Sequence, residues 1–190
     1  GCGTIGLFAV LVARALGARQ VIGVEPMKVH LEMARRLGAD AVIEPSRRTE
    51  ESYVHDEAIT REVRDLTDGV GVDVALEMSG ANAALNTAIS AVRRGGHVIL
   101  FGLKSGDAVI ENLDEVVVAG IIRHAVIGRR IFETWHITRN LLESRDPNIH
   151  DLVWEVILRR GEETVVPFEA FEPSAFEEKI KVHPKVLFRF

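Results

Sequence analysis

Along the first 130 residues, apolar positions come in short blocks that switch between a helical spacing and unbroken runs. From Thr4 to Leu16, Ile5, Ala9, Val12, Ala13 and Leu16 share one side of a helix, and Gly17 closes it. Gln20-Val21-Ile22-Gly23-Val24 then reads as a short buried strand ending at Glu25. Lys28 to Leu37 is helical up to Gly38, Ala41-Val42-Ile43 is the next strand, and the polar stretch 44–52 is a loop. Residues 54–66 form a helix that stops at Asp68-Gly69, and Val72 to Glu77 is a mostly apolar strand before a Ser79-Gly80 turn. Ala83 to Val92 is helical, and Gly95-Gly96 turns the chain into the strand His97-Val98-Ile99-Leu100-Phe101. Strands alternating with helices of this length predict an α/β fold, a doubly wound parallel sheet with helices on both faces. Glu115 to Gly120 is ambiguous, and Ile121 to Ile127 reads as the sixth strand of such a sheet.

Beyond residue 130 the pattern changes. Ile131 to Glu143 is an amphipathic helix carrying Phe132, Trp135 and Leu142, and Ile149 to Leu158 is another with Trp154. Residues 162–171, the acid-rich 172–178 and the closing strand 184–190 do not continue the alternation. The expected division is therefore 1–130 as the sheet domain and 131–190 as a C-terminal segment that packs on something else.

Composition narrows the function. With 190 residues and 47% apolar content the chain can bury a core. Its net charge of −5, with arginines in pairs (Arg35-Arg36, Arg47-Arg48, Arg93-Arg94, Arg129-Arg130) and not in patches, argues against a nucleic-acid partner. No membrane-length apolar span is present, no secretory leader is expected, and Cys2 is the single cysteine. An intrachain disulfide and a four-cysteine zinc lobe are thus excluded, and a cytoplasmic setting is expected.

The chemistry sits in the opening residues. Gly1-Cys2-Gly3-Thr4-Ile5-Gly6 spells G-x-G-x-x-G and runs into the first helix. The first glycine permits a tight strand-to-helix turn, the second lets the backbone approach a pyrophosphate, and the third allows close helix–sheet packing. The helix N-terminus adds free N–H groups and a partial positive charge. Glu25, at a strand's carboxyl end, can accept both hydrogens of an adenosine ribose diol and would repel a 2′-phosphate, which favours NAD over NADP. This fingerprint lacks its opening strand, which in the order 3-2-1-4-5-6 is central. A break in the ladder between the strands at Val21 and Val72 is therefore expected, in a Rossmann sheet lacking its first central strand.

Taken together, the motifs resemble the medium-chain, zinc-type alcohol dehydrogenase superfamily, above all its threonine and polyol dehydrogenase branch. They are G-x-G-x-x-G-L with A-x-x-L-G-A, V-I-G-V-E, L-G-A-D-x-V-I at Leu37 to Ile43, D-G-V-G-V-D-V-A-L-E-x-S-G at Asp68 to Gly80, G-G-x-V-x-L-x-G-L at Gly95 to Leu103, and I-G-R-R-x-F-E-T-W at Ile127 to Trp135. The resemblance implies an NAD-dependent dehydrogenase that moves a hydride from a secondary alcohol. It assigns the backbone of Thr4 and Ile5 to the pyrophosphate, Glu25 and Pro26 to the ribose and adenine, and Ser79 and Gly80 to the adenosine side. Phe101, Leu103, Val126 and Gly128 would offer backbone groups to the nicotinamide amide, and Lys185 would face a phosphate. His30 stands where the family commonly has Lys or Arg, which implies a weaker adenosine contact. Catalytic zinc would be held in a separate N-terminal domain absent from these residues, so the fragment alone is expected to be inactive. A small alcohol substrate and a homo-oligomer, dimer or tetramer, are implied with it.

Three other readings stay open: a zinc-free quinone reductase of the same superfamily, an S-adenosylmethionine methyltransferase, and a non-catalytic nucleotide-binding module. Elsewhere the residues read as ordinary structure. The histidines His55, His97, His124, His136, His150 and His183 lack metal-ligand spacing. Glu133, Thr134 and His136 are either substrate-facing or one face of a helix. Trp135 and Trp154 are expected to pack, and Glu77 to pair with an arginine inside its strand.

Overall fold

The computed structural model describes residues 1–46, 53–104, 106–128, 130–145 and 148–190. Most of the loop expected at 44–52, including Arg47 and Arg48, lies outside the described residues, as does Arg129. The chain divides into two compact units: Gly1–Cys2, Val24–Met27 and Ile43–Gly128 form one, and Gly3–Gly23, Lys28–Val42 and Arg129–Phe190 the other.

The first unit is built on three parallel strands, β3 (Val72–Glu77), β4 (Val92–Leu100) and β5 (Ile122–Ala125), in that order. Helices α3 (Glu57–Asp65), α4 (Asn82–Ala91) and α5 (Leu113–Ala119) belong to the same unit. Leu85, Ile89, Val92, Val98 and Val116 form its core, and each such side chain removed from water contributes about 1.5–3 kcal/mol. The ambiguous stretch at 115–120 is the end of α5, stopped by Gly120 in the left-handed region at φ 62°.

Two boundaries move for local reasons. β4 starts at Val92, opposite Val72, and the register then slips before Val74 meets His97. The turn expected at Gly95-Gly96 is thus a bulge within the strand, with Gly95 at φ 68°. A Cβ on Gly96 would lie 2.9 Å from the Asp73 carbonyl oxygen, so only glycine fits. α3 starts at Glu57 and not at 54, because the Asp56 carboxylate caps it by accepting the N–H groups of Ala58 and Ile59.

Strands β1 (Ile22–Val24) and β2 (Ala41–Ile43) pair with each other. Among the described residues no ladder joins them to β3–β4–β5, which is the expected break.

In the second unit, α1 (Thr4–Ala15) buries Gly6, Leu7, Val10 and Leu11. Ile5, Val12 and Leu16, from the stripe that periodicity picked, are instead 51%, 37% and 79% exposed. α1 is apolar around most of its circumference, so spacing alone cannot choose its inner face. Arg14 fixes its end: Nε donates to the Gly38 carbonyl at 2.6 Å, Nη1 to that of Ala18 at 3.1 Å, and Nη2 pairs with Asp40. Helix α2 (Lys28–Arg36) buries His30, Leu31, Met33 and Ala34.

The C-terminal stretch is more ordered than its pattern suggested. α6 (Glu133–Glu143) buries no residue, and its Trp135 is 55% exposed against the expectation of packing, meeting Phe132 edge-on. The helix expected over 149–158 is α7 (Ile149–Leu152) widening into a π-turn at Val153–Ile157. The acid-rich segment is part of α8 (Pro173–Val182), with proline in its first turn. It links β6 (Val165–Pro167) to its parallel neighbour β7 (Leu187–Arg189), and Phe168, Phe171, Phe176, Phe188 and Phe190 pack ring to ring around that pair.

Candidate functional site

β1 delivers Glu25 at its carboxyl end, 7% exposed. Its Oε2 accepts the N–H of Cys2 at 2.7 Å and its Oε1 that of Met27 at 3.1 Å, so two backbone donors fix the plane of the carboxylate. The Cys2 thiol beside it lies 3.8 Å from the Val24 carbonyl oxygen, and burial pushes its pKa above the ordinary range. Cys2 is therefore a packed thiol and not a thiolate nucleophile.

β3 ends in a second buried acid, Glu77, 5% exposed. The arginine partner expected for it is replaced by its own turn. Oε1 accepts the Ser79 N–H at 2.8 Å, the Ser79 hydroxyl at 2.6 Å and the Gly80 N–H at 2.9 Å. The main-chain oxygen of Glu77 accepts from Phe101 at 2.8 Å and Gly102 at 2.9 Å, where the chain leaves β4.

The turn and the strand exit touch. A Cβ on Gly80, whose φ is 75°, would lie 2.3 Å from the Leu103 carbonyl oxygen, and one on Gly102 would lie 2.2 Å from the Gly80 nitrogen. Lys104 Nζ closes the contact by donating to the Gly80 carbonyl at 2.8 Å. Gly1 lies against Ser79, where an added Cβ would be 3.2 Å from the Ser79 Cβ. Gly1, Ser79, Gly80, Phe101 and Leu103 therefore adjoin one another, and Cys2 next in the chain reaches Glu25. Leu103 projects outward, 87% exposed. Val126, at the end of β5, donates its N–H to the Leu100 carbonyl at 3.0 Å, and Gly128 follows at φ 70°.

In the second unit, Gly3 precedes α1 with no side-chain cap, and a Cβ there would meet nothing within 4 Å. That glycine is not demanded by packing, and it leaves the helix N-terminus unscreened by a side chain. The Thr4 hydroxyl donates to the Pro184 carbonyl, so within this unit Thr4 adjoins the residue before Lys185, which is exposed. His30 is buried on α2.

Sequence reasoning missed Gly102 and Lys104, and misread Glu77. A usable signal was present: a carboxylate two residues before Ser-Gly can accept both turn amides, as Asx-type turns do. His97 and His124 also come together across β4 and β5, Nδ1 to Nε2 at 2.9 Å with stacked rings. Their separation in the chain hides this pair. Among the described residues no three His, Cys, Asp or Glu side chains assemble as a metal cage, so zinc does not fit the groups described here. No helix among them is long and apolar enough to cross a membrane.

Parallel strands wound with helices, with a glycine-rich turn and an acidic strand end, define a Rossmann-like α/β protein. Residues 4–143 match the family described as zinc-binding dehydrogenase, and the chain belongs to that family. An L-threonine 3-dehydrogenase of Pyrococcus horikoshii is 37% identical over 153 residues, covering 80% of this chain and 41% of that protein. One from Thermococcus kodakarensis is 35% identical over 153 residues, with the same coverage of 80% and 41%. The chain thus spans about two-fifths of the length of the curated relatives it matches. Among solved structures, 2R,3R-butanediol dehydrogenase of Bacillus subtilis has a TM-score of 0.73 at 23% identity, covering 100% of this chain and 49% of that one. Benzyl alcohol dehydrogenase of Acinetobacter calcoaceticus has 0.75 at 21%, covering 100% and 48%. Family membership sets the methyltransferase reading aside.

Proposed function

We propose that this chain is the NAD-binding part of a dehydrogenase that oxidises a secondary alcohol, threonine-, sugar- or polyol-like, by hydride transfer. The observation that carries the reading is Glu25: a buried carboxylate at a strand end, its plane set by the N–H groups of Cys2 and Met27, beside a glycine-rich turn. Two oxygens held in that way accept the two hydroxyls of a ribose as a bidentate pair, and their charge opposes a 2′-phosphate. Bound NAD supplies the hydride acceptor. Pro26, Ser79 and Gly80 would then flank the adenosine, and the backbone at Phe101, Leu103, Val126 and Gly128 would meet the nicotinamide amide. Toward the same cofactor, Thr4 and Ile5 would meet the pyrophosphate, Lys185 a phosphate, and His30 the adenosine. These roles rest on the family resemblance. Zinc, where the whole enzyme uses it, would be held by side chains other than those described here. A cytoplasmic homo-oligomer, dimer or tetramer, completes the proposal.

Titration with NADH and NADPH, followed by cofactor fluorescence, tests it. NADH is expected to bind at least about tenfold more tightly, a difference of about 1.4 kcal/mol. Equal affinities would sink the role given to Glu25.

A further inference from the structure

Resting on that reading, we infer that Glu77 is a positioning residue for the dinucleotide, holding the turn at Ser79-Gly80 and the strand exit at Phe101-Gly102 as one piece. It receives five hydrogen bonds, three on Oε1 from the turn and two on its main-chain oxygen from the exit. The first group is assigned to the adenosine side of the cofactor and the second adjoins residues assigned to the nicotinamide. A displacement of either is transmitted to the other through a single residue, whose side chain holds the turn and whose carbonyl holds the exit, through the backbone contact of Gly102 with Gly80, and through Lys104 on the Gly80 carbonyl.

A turn of this size does not need a charged builder. In the same unit Thr67 closes the next strand's approach with a neutral hydroxyl, accepting the Gly71 N–H at 3.0 Å while donating to the Val63 carbonyl at 2.7 Å. Burying a carboxylate costs far more than burying a hydroxyl unless several donors compensate it, and Glu77 collects them from the turn itself. What the carboxylate adds is a direction for the Ser79 proton. That hydroxyl donates inward to Glu77 at 2.6 Å while accepting the Ala81 N–H at 3.1 Å. A hydroxyl has one donor and two acceptor positions, so toward solvent Ser79 presents an acceptor lone pair. It would therefore welcome a ligand hydroxyl or amine, as an adenosine offers, and reject an unprotonated phosphate oxygen.

The test is made on the protein with its natural flanking sequence, using NADH and ADP-ribose as probes and thermal melting as a check on folding. Glu77→Leu, close in volume but without acceptors, is expected to raise the Kd of both probes at least tenfold. Glu77→Gln keeps an acceptor at Oε1 and should stay within threefold of the parent for both. Should Glu77→Leu fail to fold, Lys104→Met replaces it: a rise of threefold or more in both Kd values supports the coupling, and unchanged values overturn it. Parent-like binding by a folded Glu77→Leu, or Glu77→Gln as weak as Glu77→Leu, also overturns the inference. A parent protein that binds neither probe overturns the proposed function itself, an outcome distinct from these.

Discussion

Glu25 and Glu77 occupy similar places, each a buried glutamate at the carboxyl end of a strand, yet their hydrogen bonds differ. The two oxygens of Glu25 take one backbone N–H apiece, which orients the group. Oε1 of Glu77 takes three donors from the turn that follows it. Position and residue type alone therefore do not say whether a strand-end acid serves a ligand or its own chain. Both acids accept the N–H two residues on, Met27 for Glu25 and Ser79 for Glu77, and what Ser79-Gly80 adds is a hydroxyl and a second N–H on the same oxygen.

Breaking the contrast from the Glu77 side has the largest expected effect. Gly102→Ala would drive a Cβ to 2.2 Å from the Gly80 nitrogen and 2.6 Å from Glu77 Oε2, backbone and an anchored carboxylate that cannot step aside. A loss of about 3 kcal/mol is expected in urea denaturation. Parent-like stability would show that the turn and exit are not in firm contact.

On the Glu25 side the expected effect lies in binding. Glu25→Ala removes charge-assisted acceptors, and NADH affinity should fall by about 2 kcal/mol, near thirtyfold, with any preference against NADPH abolished. If stability falls by as much while NADH still binds, then Glu25, like Glu77, serves its own chain.

Asp56 gives the smallest and sharpest comparison, being an acid whose role is a helix cap. Burial pushes its pKa up, but hydrogen bonds from the Ser46 hydroxyl and the N–H groups of Ile59, Ser46 and Ala58 outweigh that, leaving it below the ordinary value. Because the folded form holds the proton less tightly than the unfolded chain, this contribution is complete above the usual carboxylate pKa of about 4. It is lost as pH falls below that through the folded pKa. Asp56→Ala should cost about 1 kcal/mol at pH 7, and the gap from the parent should close in melts taken toward pH 3. A gap independent of pH would contradict the cap.

Much of the first unit was legible because its signals are local. Strands β3 and β5, helix α4 and the turn at Ser79 follow from apolar runs punctuated by Gly, Ser and Asp. Three things were not. The inner face of α1 was hidden because Leu7, Val10 and Leu11 are as apolar as the stripe opposite them. The extension of β4 back to Val92 depends on pairing with Val72, a long-range fact that the Gly95-Gly96 signal masks. Beyond residue 130, β7 falls inside the closing strand expected at 184–190, but its parallel partner β6 was not legible, because a three-residue strand packed by phenylalanine rings shows no period of two. At the site, Glu25 could be read from its distance to the glycines, whereas the work of Glu77, Gly102 and Lys104 depends on contacts between chain segments well apart in sequence.

The five bonds gathered on Glu77 also set a timescale. The amide hydrogens of Ser79, Gly80, Phe101 and Gly102 all end on one residue, so an opening that displaces Glu77 frees all four together. In deuterium they should exchange together at one rate, as a single cooperative latch spanning two loops.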